Sequence, residues 1–168
     1  FLFAYLYTAT NFSIAYNGLG EIFVFLYFGI IASMGTFYLQ LLEYSDSALL
    51  VGVICGCFNM ILLIINNIRD MDTDRIYSKK TLIVRFGKFF GYLEFGAAII
   101  IAHVSIYFLS INLDNQNILI VLYVLSAMPI YILIKSIYST DYLNNKALYS
   151  TSLYIALFTL LLTYIIIQ

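Results

Sequence analysis

Charge is what this sequence has least of. Only 17 of its 168 side chains are acidic or basic, 10% against 63% hydrophobic, where an average soluble domain carries about 25% charged residues. No ordinary water-facing surface can be built from that supply, because even a well-folded domain of ~150 residues leaves roughly 30% of its unfolded-chain surface in water. Lipid is the remaining solvent. The net charge of −1 offers nucleic acid no basic surface, and the dominance of Leu, Ile, Phe and Tyr excludes a disordered chain. Cysteine is nearly absent as well. Cys55 and Cys57 both fall inside an apolar run, so we expect small packing residues rather than a disulfide or a metal site. The single proline, Pro129, is expected to kink its helix. The single histidine, His103, lies in mid-run and is expected as a neutral imidazole bonded to a neighbouring helix. No glycine-rich phosphate fingerprint follows a strand pattern; Gly18, Gly20, Gly29, Gly35, Gly52 and Gly56 instead suit close helix packing. An initiator Met and a basic signal-peptide head are missing too, since Phe1 opens inside an apolar stretch; the chain reads as part of a longer protein.

What the sequence has in abundance is uncharged length. Residues 22 to 42, 48 to 68, 95 to 113, 118 to 134 and 147 to 168 form successive apolar windows, with residues 1 to 7 as a truncated sixth. A helix rising ~1.5 Å per residue needs about 20 residues to cross a hydrocarbon core of ~30 Å. Lys135 can snorkel, which extends the short window to about Tyr138, and Glu94 marks a helix start near the headgroups. The polar stretches Ser45-Asp-Ser47 and Asn112-Leu-Asp-Asn-Gln-Asn117 can cap the helices that follow. The predicted fold is an all-α polytopic transmembrane bundle of five full spans and a partial one, forming a single membrane domain over residues 1–168.

A long connection from Arg69 to about Phe90 holds six of the eight basic residues beside three of the nine acids. Alternate threading puts all eight Lys and Arg on one side and leaves Glu43, Asp46 and Asp114 on the other, so the positive-inside rule assigns the basic side, with the Asp-bearing loop from 69 to 90, to the cytoplasm. Tyr5, Tyr7, Tyr38, Tyr44, Tyr138 and Tyr142 lie near predicted span ends, where a ring in lipid and a hydroxyl in water are both satisfied. Asp141 and Lys146 read as a solvated turn.

Chemistry concentrates in Asn66-Asn-Ile-Arg-Asp-Met-Asp-Thr-Asp-Arg75. If the preceding helix continues, Asn66, Asp70 and Asp74 form one column and Asp72 points elsewhere. Two carboxylates with an amide below make an oxygen-rich site of the kind that holds Mg²⁺ jointly with substrate phosphates. Arg69, Arg75, Lys79, Lys80 and Arg85 are placed to clamp the phosphate oxygens. A solvated, topology-setting loop is the competing explanation. Against it, three carboxylates within five residues repel unless a cation compensates, and Asn66-Asn67 replaces apolar residues at a span end.

Asn66-Asn-Ile-Arg-Asp-Met-Asp-Thr-Asp-Arg followed by Lys79-Lys-Thr-Leu-Ile-Val-Arg-Phe-Gly87 resembles the second Asp-rich motif of the UbiA-type membrane prenyltransferases. Tyr5-Leu-Tyr-Thr8, Asn17-Gly-Leu-Gly-Glu-Ile-Phe-Val-Phe25 and Gly35-Thr-Phe-Tyr-Leu-Gln40 look most like the branch that prenylates 1,4-dihydroxy-2-naphthoate in menaquinone biosynthesis. The resemblance covers essentially the whole chain. It implies that residues 1 to 7 end the fourth of nine spans and that residue 168 ends the ninth. It implies also that Asp70 and Asp74, and with them Asp72, bind Mg²⁺ bridging the diphosphate of a polyprenyl diphosphate. Asn66 or Asn67 would assist, and Lys80, Arg75 and Arg85, together with Arg69 and Lys79, would neutralise the leaving group while an aromatic acceptor attacks. The family's first Asp-rich motif is not in this sequence, so an upstream segment would be needed to complete the site and the chain alone would be inactive. Ser78 stands where a Gly commonly precedes the basic pair, and Ala9-Thr-Asn11 replaces a Gly-rich turn. Another acceptor, such as 4-hydroxybenzoate, homogentisate or haem, stays open, as do a transporter and a purely structural membrane subunit. The expected setting is a multi-pass protein of the bacterial cell membrane.

Overall fold

The computed structural model describes residues 15–114 and 117–167. Residues 1 to 7 with Tyr5 and Tyr7, and the Ala9-Thr-Asn11 stretch, lie outside the described residues. A 3₁₀ turn, Ala15–Asn17, leads into α1, Gly20–Leu41. Next come α2, Asp46–Ile76, the short α3, Leu82–Phe86, and α4, Lys88–Asn112. Then follow α5, Asn117–Tyr138, the short α6, Thr140–Asn145, and α7, Ala147–Ile167. No strand occurs among the described residues.

Four helices, α1, α2, α4 and α7, are long and apolar enough to cross a membrane by length and composition. The 22-residue α5 occupies the 118 to 134 window and runs on through Pro129 to Tyr138. The protein is thus an all-α polytopic membrane bundle. Its helix starts follow the local chemistry. Ser45 Oγ accepts from the Ala48 amide at 3.3 Å, Thr81 Oγ1 from that of Val84 at 3.2 Å, and Ser139 Oγ from that of Tyr142 at 3.2 Å; each side chain satisfies one donor that a helix end leaves unpaired.

Helix α2 is the centre of the bundle and packs against α1, α4 and α7. Its buried side chains Ile54, Phe58, Ile61, Ile65 and Ile68 recur every three or four residues, the spacing of a single helix face. They meet Phe95, Ala98, Ala102, Ile106 and Leu109 of α4, while Phe58 stacks edge-on against Phe158 of α7 with ring centroids 4.6 Å apart. On the α1 side the contact is backbone on backbone. A Cβ added to Gly29 would lie 2.5 Å from both Gly52 O and Gly56 Cα, so only glycine permits that approach. The small-residue reading therefore holds at Gly29, Gly52 and Gly56 but not at Gly35, whose Cβ position is open. Within α1, residues Leu26–Ile31 form a π-helical turn, wider than the flanking helix.

Several local expectations change. The stretch from Arg69 to Phe90 is largely helical rather than an open connection: α2 continues to Ile76 and α4 begins at Lys88, with α3 between. The reason is local. No Gly or Pro interrupts residues 57 to 86, and charged residues are good helix formers once they reach water. The same early start of α4 places Glu94 two turns inside that helix rather than at its beginning. His103 binds Ile99 O of its own helix at 2.7 Å, not a neighbouring helix, because the carbonyl one turn back is within closer reach. Tyr142 is buried rather than interfacial; α6 turns it inward, with Lys135 Nζ 5.1 Å from its ring. Tyr38, Tyr44 and Tyr138 are exposed as expected.

Candidate functional site

At ~1.5 Å per residue, the 31 residues of α2 extend for about 46 Å, well beyond a ~30 Å hydrocarbon core. Its last two turns, beyond the 48 to 68 apolar window, therefore project from the membrane as a rigid post. Asp70 and Asp74 are on this post and Asn66 stands one turn below Asp70, the three four residues apart and on one face. Asp72 is turned out to the exposed side with Arg75.

Each column carboxylate is matched by a base. Arg69 donates from Nε to Asp70 Oδ1 at 2.7 Å and from Nη2 to Asp70 Oδ2 at 2.8 Å, a two-point fork. The same Nη2 also reaches Asn66 Oδ1 at 2.6 Å. The Arg69 guanidinium holds Asp70 below its ordinary carboxylate range, first through that hydrogen bond and then through its charge, aided by Lys79. Lys79 Nζ donates to Asp74 Oδ2 at 2.9 Å. Among the described residues no group of three His, Cys, Asp or Glu side chains converges. The site is a two-carboxylate one with an amide beside it.

Lys79 reaches Asp74 because of how α2 ends. The Ser78 amide donates to Arg75 O at 3.2 Å and the Lys79 amide to Asp74 O at 2.9 Å, a Schellman closure with Ser78 in the left-handed conformation, φ 58°. That position favours glycine, which gives a physical reason for a Gly before the basic pair in related sequences. The closure turns Lys79 back along the helix it has just left. Next, the Lys80 amide donates to Tyr16 O at 2.8 Å and Arg85 Nη2 to Asn17 O at 3.0 Å. Gly18, at φ 79°, lies where a Cβ would sit 3.0 Å from Lys80 O. The entrance of α1 is thereby stitched to the basic segment. Among the described residues the Lys80 and Arg75 side chains have no ion-pair partner, and both are exposed.

Two amides adjacent in sequence face different ways. Asn66 lines a groove of about 340 Å³ together with Val24, Phe28, Asn59, Leu62, Leu63 and Leu148. The groove is mostly apolar and descends along α2 from the carboxylate column. Asn67 instead is buried and donates to Glu21 Oε1 of α1 at 2.7 Å. Glu21 is 2% exposed. It stands in the Asn17-to-Phe25 stretch, but sequence reasoning gave it no site role; the available signal was an acid directly beside an apolar window.

The bundle and its cluster define a polytopic helical membrane protein with a carboxylate and base site at a span end, opening onto an apolar groove. A model of the UbiA prenyltransferase family matches residues 1–165, and the chain belongs to that family. It is 40% identical over 84 residues to a 1,4-dihydroxy-2-naphthoate octaprenyltransferase of Mycobacterium leprae (strain TN), covering 50% of this chain and 29% of that protein. To the enzyme of the same description from Escherichia coli (strain K12) it is 40% identical over 82 residues, 49% of this chain and 27% of the other. A UbiA prenyltransferase domain-containing protein of Dictyostelium discoideum is 26% identical over 142 residues, 84% of this chain and 41% of that one. The aligned region is thus under a third of each bacterial relative. No solved structure matches the chain.

Proposed function

We propose that the complete protein transfers a polyprenyl group from an allylic polyprenyl diphosphate to 1,4-dihydroxy-2-naphthoate, the menaquinone-pathway step that gives a demethylmenaquinone. The observation that carries this reading is the Asn66–Asp70–Asp74 column, with its bases, standing at the mouth of an apolar groove on the same helix. Family membership supports prenyl transfer, and the two bacterial relatives support the naphthoate acceptor.

Asp70 and Asp74 offer hard oxygen ligands, and two carboxylates sharing an ion with substrate phosphates is an ordinary arrangement for Mg²⁺, so the residues fit that ion. When bound, it would supply charge neutralisation of the diphosphate. Asp72 would remain an outlying acid. The bases have their own part. Arg69 and Lys79, paired with the column at rest, are within reach to exchange carboxylate for phosphate oxygens as the diphosphate arrives. Arg75, Lys80 and Arg85 would steady its outer oxygens, with Asn66 at the groove side; Asn67 would contribute through its neighbours. Stabilising the departing negative charge is the main lever on the barrier. As the allylic carbon–oxygen bond breaks, the Phe28 ring in the groove can face the developing cation, and the apolar lining keeps out water that would quench it. An upstream segment of the same protein would complete the site. The charged end would face the cytoplasm of a bacterial cell, by the excess of bases there.

The test uses the full-length protein in detergent, with polyprenyl diphosphate, dihydroxynaphthoate and Mg²⁺. Asp70→Ala and Asp74→Ala should each abolish transfer, as should removal of the ion by chelation. Wild-type rates in either variant would overturn the assignment, and transfer to hydroxybenzoate but not to dihydroxynaphthoate would overturn the choice of acceptor.

A further inference from the structure

Glu21 and Asn67 form a buried bond across two helices, and neither residue belongs to the carboxylate column. Burying a carboxylate is costly unless it is well paired. Among the described residues the pairing here is the 2.7 Å bond from Asn67 Nδ2. The buried Asn67 Oδ1 has no hydrogen-bond partner among the described residues. Two helices thus spend polar groups on one interior contact, where Leu or Phe would pack at less cost. Such an arrangement specifies orientation rather than adding stability.

The geometry of α1 shows which orientation is at stake. The helix packs along α2, with a close backbone crossing where Gly29 meets Gly52 and Gly56 and a polar contact where Glu21 meets Asn67. In an unbroken α-helix turning ~100° per residue, two positions eight apart would diverge by about 80°. The π-helical turn at Leu26–Ile31 begins between them and includes Gly29, and its wider winding reduces that divergence. The glycine contact sets the distance between the helices, with Phe25 and Ser33 beside it. The Glu21–Asn67 bond, about 16 Å further along α2 than Gly56 by helical rise, fixes rotation.

We propose that Glu21 is a positioning residue for the diphosphate site: by holding the Asn67 amide it sets the direction in which α2 presents Asn66, Asp70 and Asp74. The proposal rests on the prenyl-transfer reading for its kinetic test but not for its binding test. Asn67 directly follows Asn66 on a rigid helix and precedes Asp70 by three residues, so a rotation of ~20° to 30° about the α2 axis swings every ligand on that column together. Misplacements of this size degrade catalysis and binding without unfolding anything.

The experiment takes the full-length protein in detergent, its Glu21→Ala, Glu21→Gln and Asn67→Ala variants, and the Glu21→Ala/Asn67→Ala pair. Glu21→Ala should raise KM for the polyprenyl diphosphate by about 10-fold or more while kcat stays within about 3-fold. Glu21→Gln keeps an oxygen that accepts from Asn67 and should return KM to within about 3-fold of wild type. The double variant should be no worse than the worse single one, because both remove the same bond. An unchanged KM in Glu21→Ala, failure of Glu21→Gln to rescue, or multiplying effects in the pair would each overturn the proposal. If Glu21→Ala does not accumulate, Asn67→Ala removes the same bond from the other side and must show the same KM rise. A second arm uses magnesium pyrophosphate alone and reads thermal unfolding. Protection should be present in wild type, lost in Glu21→Ala and kept in Glu21→Gln. That pattern in a protein unable to prenylate dihydroxynaphthoate would overturn the acceptor assignment and support this proposal. Equal protection in wild type and Glu21→Ala would overturn this proposal alone.

Discussion

The two halves of α2 are held in place by opposite means. From Asp46 to Ile65 the helix is fixed by shape: Gly52 and Gly56 against α1, Ile54, Phe58 and Ile61 against α4 and α7. The hydrogen bond given by Asn59 there goes to Cys55 O of the same helix, at 2.9 Å. From Asn66 to Ile76 the packing thins and polar pairing takes over, through Asn67 to Glu21, Arg69 to Asp70 and Lys79 to Asp74. Lipid chemistry explains the division. In hydrocarbon, helices gain from close contact between small residues, and an unpaired charge is prohibitive. At the interface each ion pair is worth little, commonly under about 1 kcal/mol, and is easily exchanged. A site that must accept a charged guest is better built where its own pairs are weak, on a post whose base is rigid.

Four experiments break or sharpen that contrast. The largest effect belongs to the column: Asp70→Ala or Asp74→Ala should cost about 10²-fold or more in transfer rate yet leave thermal unfolding within a degree or two of wild type. A collapse of the fold would mean that this half is structural after all. Gly29→Leu attacks the other half, since its new side chain meets backbone at the crossing. Overpacking of this kind costs roughly 1–3 kcal/mol or more, visible as a lowered midpoint in a detergent denaturation series. Activity should fall only as folded protein falls. Ser78→Gly relieves a left-handed residue and should raise stability by about 1 kcal/mol, measured as a small upward shift of the unfolding temperature with KM unchanged. The smallest change is expected from Lys79→Ala. Losing its pair with Asp74 should lower stability by under about 1 kcal/mol, and the loss should shrink further in high salt.

Much of this architecture is legible in the sequence because lipid leaves few choices. Uncharged runs of the right length had to be spans, and the described helices α1, α2, α4, α5 and α7 fall on those windows. The column Asn66, Asp70 and Asp74 followed from helical spacing as soon as the helix was allowed to continue. Other features were hidden because they depend on partners distant in sequence. The Glu21–Asn67 bond joins residues 46 positions apart, and nothing in the periodicity of either helix announces it. The π-helical turn in α1 has no compositional mark either. Tyr142 looked interfacial because short-range reading places it at a span end, whereas α6, too short to be seen as a helix from its polarity, carries it inward. Placement of Gly35 failed for a related reason: glycine frequency suggests packing faces, but only the crossing point decides which glycine is used.

The Schellman closure after α2 has one more consequence. A stretch carrying Arg75, Lys79 and Lys80 would, from composition alone, be the first place for trypsin to cut and among the fastest amides to exchange with solvent. Three successive amides there are already committed, Ser78 to Arg75 O, Lys79 to Asp74 O and Lys80 to Tyr16 O. A protease needs some residues on either side of a bond drawn out into an extended strand, and here that means opening the cap and the stitch to α1 together. The most cleavable sequence in the protein should therefore be one of its slower ones to open, and its digestion rate a direct gauge of whether α1 and α2 are still joined.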